Sequence, residues 1–103
     1  MSFEALRLSS RDGYVLAARA YAPAVAPTRA VLIVSAMGVP QRFYEPFAHW
    51  LAEQGLAVLT FDPRGIGDSA PKRLKGFDAS ITDWATKDLG AVVDYFHQRW
   101  PDV

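Results

Sequence analysis

The chain has 103 residues, with 11 basic and 11 acidic side chains and a formal net charge of zero. Half of its residues are hydrophobic and 21% are charged, the balance of a globular protein rather than a disordered one. A neutral chain has no global field to gather polyanions, which argues against nucleic acid and anionic membrane as partners, and the absence of cysteine excludes a disulfide framework, a thiolate zinc site, an iron–sulfur cluster and a cysteine nucleophile.

Residues 3–8 alternate apolar with polar in their second half. Arg11-Asp12-Gly13 supplies an Asp-Gly turn, and a second strand follows over residues 14–21, so the two are expected to form an antiparallel hairpin. Pro23 and Pro27 end it, since proline cannot donate to a ladder. Residues 30–34, Ala-Val-Leu-Ile-Val, are the continuous β-branched run of a strand covered on both faces. From residue 43 to 54 the period turns helical, with Phe43, Phe47, Ala48, Leu51 and Ala52 on one stripe and Gly55 placed to cap the end. A second buried strand spans residues 56–61. The strand–helix–strand unit calls for a right-handed crossover and a parallel pair.

Residues 62–79 are rich in Gly, Pro and Lys and read as a long surface loop. Ser80-Ile81-Thr82-Asp83 reads as a capping box opening a second helix, whose apolar stripe is Ala85, Leu89, Val92, Val93, Phe96 and Trp100 and which Pro101 stops. The predicted order is β-β-β-α-β-α, an α/β class. The N-terminus lacks the basic start and apolar run of a signal peptide, and no apolar stretch approaches the roughly 20 residues that span a bilayer. A cytoplasmic setting is the expectation.

In open α/β sheets, ligands gather at the carboxyl ends of strands. Two segments leave those ends. Ser35-Ala36-Met37-Gly38-Val39-Pro40 follows the first parallel strand, and Gly38 would turn the backbone tightly enough to present the Val39 amide to an oxyanion. Asp62-Pro63-Arg64-Gly65-Ile66-Gly67-Asp68-Ser69 follows the second. Its Gly-x-Gly lacks the third glycine and the immediate helix of a dinucleotide fingerprint, and no P-loop run exists. Asp62 and Arg64 are expected to tie this loop down by a charge-assisted hydrogen bond.

Gly67-Asp68-Ser69 resembles the Gly-Asp-Ser block of the SGNH hydrolases, but there the block follows its strand directly. No serine in the chain has glycine at both flanking second positions, so no Gly-x-Ser-x-Gly elbow occurs and Ser69 reads as a turn hydroxyl. The two histidines, His49 and His97, have no sequence-local serine and carboxylate partners and are too few for a multi-histidine metal site. Trp84, Tyr95, Phe96 and Trp100 read as helix packing. No cofactor and no metal are expected.

Taken together, Asp12-Gly13-Tyr14-Val15-Leu16, residues 31–38, residues 43–55 and the Asp-x-Arg-Gly-x-Gly-x-Ser block at residues 62–69 resemble the N-terminal part of an α/β-hydrolase. The likeness is to serine hydrolases that include monoacylglycerol lipases and proline-iminopeptidase-like enzymes, and within them to a bacterial group known as predicted α/β-hydrolases. The resemblance implies that Gly38 and Val39 form half of an oxyanion hole, with Met37 where the family usually has histidine. It implies that Asp62, Arg64, Gly65 and Gly67 support the site from below.

It also implies that the nucleophile comes on the strand after the second helix and the acid and base later still, so residues 1–103 would be the N-terminal portion of one domain and carry no triad. The whole enzyme would act on a small-molecule ester, less readily an amide. The competing expectation is a non-catalytic α/β binding or assembly module. The same topology leaves the edge of the strand at residues 30–34 bare, so the chain is expected to pair with a second copy there or to require a separate C-terminal piece.

Overall fold

The computed structural model describes residues 3–36, 38–70 and 83–102. Strands β1 (Glu4–Ser9) and β2 (Val15–Tyr21) form the expected hairpin, in register from Glu4 opposite Ala20 to Ser9 opposite Val15. The turn works because Gly13 adopts a φ of +87°, which lets its N–H reach the Ser10 carbonyl at 2.9 Å while Ser10 N–H reaches the Tyr14 carbonyl at 2.8 Å. Strand β3 (Arg29–Ile33) lies parallel to β4 (Leu56–Phe61), and β4 lies antiparallel to β2. The sheet order is β1-β2-β4-β3, which places β3 at an edge as the sequence implied. β3 starts and ends one residue earlier than predicted, because its pairing runs from Arg29 opposite Leu56 to Ile33 opposite Thr60.

The period of two along β2 and β4 divides the core into two layers. Ala18, Ala20, Leu59 and Phe61 face one side and pack with Leu8, Leu16 and Val92. Tyr21 and Val58 face the other and pack with Ala48, Leu51 and Ala52. The second layer is covered by helix α1 (Glu45–Glu53), which a 3₁₀ turn over Gln41–Tyr44 precedes. Gly55, at a φ of +90°, closes the helix end as expected, with its N–H on the Ala52 carbonyl at 3.0 Å.

The predicted α1 stripe is too wide. Phe43 and Phe47 are 63% and 52% exposed. Phe43 belongs to the 3₁₀ turn, whose tighter winding puts it out of phase with the α-helix. Phe47 is displaced to the flank because small residues, Ala48 and Ala52, bring the helix close to the sheet.

The other layer is covered by α2 (Gly90–Arg99), reached through a π-helical stretch at Trp84–Leu89. Ser80, Ile81 and Thr82 of the expected capping box lie outside the described residues. Val92 is fully buried, and Leu89, Phe96 and Trp100 pack against the core as predicted. Ala85, however, is exposed and Asp88 is fully buried. The π-helical turns are wider than α-helical ones, so the residue row that a 3.6-residue period assigns to the core shifts there. Among the described residues no helix is long and apolar enough to cross a membrane.

Candidate active-site loops at the strand ends

Beyond β3, Ser35 is buried, and the chain then makes a four-residue turn closed by Val39 N–H donating to the Ala36 carbonyl at 3.0 Å. Gly38 sits in that turn with a φ of +81°, a conformation L side chains resist. The tight turn at Gly38 is therefore present, but it does not present the Val39 amide outward as the sequence suggested, because that N–H is bonded to the Ala36 carbonyl. The same positive φ that makes the turn also aims the amide back at Ala36.

Beyond β4, Asp62 is almost wholly buried and its carboxylate gathers three donors. Gln41 N–H reaches Oδ1 at 2.6 Å, Gln41 Nε2 reaches Oδ2 at 3.1 Å, and Asp68 N–H reaches Oδ2 at 3.0 Å. Gln41, itself 1% exposed, also donates to the Ala17 carbonyl at 3.3 Å and accepts from Thr60 Oγ1 at 2.7 Å. Ala17 lies one residue past the stretch of β2 that pairs with β4. Its carbonyl accepts from Asp62 N–H at 2.9 Å, and its N–H donates to Ser69 Oγ at 2.8 Å. Side chains thus continue the ladder where the strand leaves off, satisfying backbone groups that would otherwise be buried unpaired.

The expected Asp62–Arg64 bond does not form. Arg64 turns the other way, toward the hairpin turn and the π-helical stretch. Its Nε lies 2.9 Å from Asp88 Oδ1, its Nη1 2.8 Å from Asp12 Oδ2, and its Nη2 2.7 Å from both Asp12 Oδ1 and Asp88 Oδ1. Asp88 Oδ2 also accepts Arg64 N–H at 2.9 Å, and Oδ1 accepts Ser10 Oγ at 2.9 Å. The guanidinium thus clamps β1–β2, the loop after β4 and the start of the last helix with its full fork of donors. Its hydrogen bonds hold the Asp12 carboxyl well below the usual carboxylate range, and Asp12 and then Asp88 raise Arg64 above its own ordinary value. Arg64 also lies over the Tyr14 ring, 5.0 Å from its centroid.

Both glycines of the block serve this architecture. Gly65, at a φ of +80°, donates its N–H to the Ser69 carbonyl at 3.3 Å. At Gly67 a Cβ would stand 2.6 Å from Asp62 Oδ2, so only glycine lets the chain pass the buried carboxylate. Ser69 is buried, and its hydroxyl donates to the Asp62 carbonyl at 2.5 Å and accepts from Ala17 N–H. It is the turn hydroxyl the sequence suggested. His49 is half-buried and His97 exposed, and neither hydrogen-bonds a serine or a carboxylate among the described residues. Among those residues no group of histidine and acidic side chains could hold a metal ion. Gln41 and Asp88, which organise the two networks, carry no sequence signal of their own: each is a polar residue in a helical segment, indistinguishable there from a solvated one.

A mixed sheet with helices on both faces and its candidate loops at the carboxyl ends of parallel strands is the N-terminal architecture of an α/β-hydrolase. Residues 25–103 match the family described as serine aminopeptidase, S33, and the chain belongs to that family. Among curated proteins no sequence matches.

Solved structures with the same fold include a highly thermostable carboxyl esterase from Bacillus coagulans in complex with glycerol (23% identity, TM-score 0.77), which matches 100% of this chain and 34% of its own. An α/β serine hydrolase without a lid from Xanthomonas campestris (20% identity, TM-score 0.72) matches 98% of this chain and 47% of its own. A soluble variant of monoglyceride lipase from Saccharomyces cerevisiae, in complex with a substrate analogue (23% identity, TM-score 0.69), matches 92% of this chain and 31% of its own. The chain therefore spans between 31% and 47% of the length of these structures.

Proposed function

We propose that residues 1–103 are the N-terminal portion of a serine hydrolase that cleaves an ester, and less readily an amide, through an acyl-serine intermediate. The nucleophile, its base and its acid belong to polypeptide that follows. This portion contributes the Val39 N–H, presented by Gly38, as half of an oxyanion hole. In the resting arrangement that N–H is satisfied by Ala36, so the role requires the turn to open. Opening exchanges a neutral hydrogen bond for a charge-assisted one to the tetrahedral oxyanion, a gain made only as charge develops.

The observation that carries the reading is the Gln41–Asp62 link, since Gln41 stands two residues after Val39. It ties the segment just after the Gly38–Val39 turn to the Asp62–Ser69 loop, which supports a reading in which that loop is a rigid base beside a turn free to open. The esterase and the monoglyceride lipase among the similar structures support an ester substrate. The test is to express the chain together with its own downstream reading frame. A serine beyond residue 103, in a Gly-x-Ser-x-Gly setting, should take a fluorophosphonate label, and the protein should hydrolyse p-nitrophenyl esters. A folded product that does neither overturns the proposal.

The satisfied Val39 amide favours a second reading, a non-catalytic binding or assembly module. A native stop codon after Val103 would decide for it.

A further inference from the structure

We propose that Tyr44 is a positioning residue of the site, its phenol fixing the main chain from which the Val39 donor is presented. The proposal rests on the hydrolase reading, to which it adds a side chain outside both candidate loops. The contacts that carry it all lie within residues 33–62, so uncovered surface plays no part.

The ladder between β3 and β4 ends with Ile33 opposite Thr60, so the chain leaves the sheet before it reaches the Gly38 turn. Ser35 does not hold it there: it is 4% exposed, yet its hydroxyl has no hydrogen-bond partner. The hold comes from Tyr44, whose Oη accepts the Ala36 N–H at 3.1 Å. Ala36 is thereby engaged twice, since its carbonyl accepts the Val39 N–H at 3.0 Å.

Tyr44 is itself anchored. It closes the 3₁₀ turn Gln41–Tyr44, which begins at the residue that Asp62 grips twice. Phe43 N–H bonds the Pro40 carbonyl at 3.1 Å, and the Phe43 ring meets the Tyr44 ring edge-on, with centroids 5.4 Å apart. The tie runs from the buried Asp62 through Gln41 and Tyr44 back to Ala36. Gly38 and Val39 therefore lie between two held points, Ala36 and Gln41.

When Val39 N–H exchanges the Ala36 carbonyl for an oxyanion, Ala36 keeps its bond to the phenol and stays in place. The donor is released alone, and reorganisation that would otherwise accompany charge development is avoided. Without the phenol, breaking the Val39 bond leaves Ala36 with no hydrogen bond among the described residues. The donor then loses its position at the moment it is needed.

The test uses the whole protein, residues 1–103 with the polypeptide of the downstream reading frame, and a p-nitrophenyl ester. Rates are referred to the serines that a fluorophosphonate probe labels at completion, so only folded sites are counted. Tyr44→Phe should lower kcat by roughly 10–100-fold and leave KM within about twofold. Ala36→Pro removes the same bond from the donor side. It should give a similar loss, and the double variant should lose little more than either alone. Tyr95→Phe removes a hydroxyl that accepts from Arg99 at 2.9 Å on the last helix, and should leave kcat unchanged. An unchanged kcat in Tyr44→Phe or Ala36→Pro overturns the proposal while the hydrolase reading stands. So does a fall in labelled sites with kcat per site preserved, the mark of a merely structural role. A wild-type protein that neither takes the label nor cleaves the ester removes the hydrolase reading, and the proposal with it.

Discussion

Gln41 and Asp62 are joined twice, by a backbone N–H to Oδ1 at 2.6 Å and by a side-chain amide to Oδ2 at 3.1 Å. The pair welds the segment after β3 to the segment after β4 and uses every hydrogen of the Gln41 amide, the second going to Ala17. Gln41→Leu fills similar space but strips donors from the buried Asp62 and Ala17 and the acceptor from Thr60. Unsatisfied buried groups of this kind cost about 1–3 kcal/mol, a loss that urea unfolding will register as a lower midpoint. Gln41→Glu should be worse, because it sets a second carboxylate against Asp62.

Arg64 and Asp88 form the second weld. Asp88→Ala leaves Arg64 paired with Asp12 but takes the buried acceptor from Arg64 N–H, Arg64 Nε and Ser10 Oγ, so it should destabilise by about 1–3 kcal/mol. Arg64→Lys keeps the charge but not the planar fork that reaches Asp12, Asp88 and Ser10 together, and its melting temperature should also fall well below that of the wild type.

Acid should weaken the fold partly through Asp12. Arg64 depresses its folded pKa below the unfolded value, so the stabilisation is fully present above the ordinary carboxylate pKa of about 4 and is lost as the pH falls through the folded value. Urea midpoints measured from neutral pH downward should decline below about pH 4. The Asp12→Asn variant should start less stable at neutral pH and show a shallower acid decline.

Two glycine substitutions separate strain from clash. At Gly38 no atom of the described residues beyond its chain neighbours lies within 4 Å of the position an added methyl group would take, so Gly38→Ala should cost the backbone strain of its positive φ, about 1–2 kcal/mol. Gly67→Ala adds a Cβ 2.6 Å from a buried carboxylate oxygen. It should cost more than Gly38→Ala in the same denaturant series; equal costs would contradict the packing described for Asp62.

The periodic parts of the chain were legible in advance. β4 falls on the predicted residues, because an uninterrupted apolar run ending at Asp62 admits one reading. The Asp-Gly turn placed the hairpin for the same local reason. What escaped was set by tertiary contact. Phe47 reads as core on a helical wheel, yet Ala48 and Ala52 let the helix settle so close that the larger ring is pushed aside. Asp88 reads as surface until a π-helical turn rotates it inward to Arg64. Asp62 and Arg64, two residues apart, invite pairing, but one lies under Gln41 and the other under Asp88. The turn after β3 was half legible: its glycine was evident, while the direction of the Val39 amide depends on the closed turn.

Within the Asp62–Ser69 block Ser69 is a buried serine whose hydroxyl is engaged on both sides, the position of a scaffold residue rather than of a nucleophile. The most direct measurement is intact-mass spectrometry of the 103-residue chain after exposure to a fluorophosphonate probe, with Ser69→Ala alongside. The chain should remain at its unmodified mass of 11.4 kDa, and the variant should likewise remain at its own unmodified mass. A stoichiometric adduct that maps to Ser69 and vanishes in the variant would contradict the account.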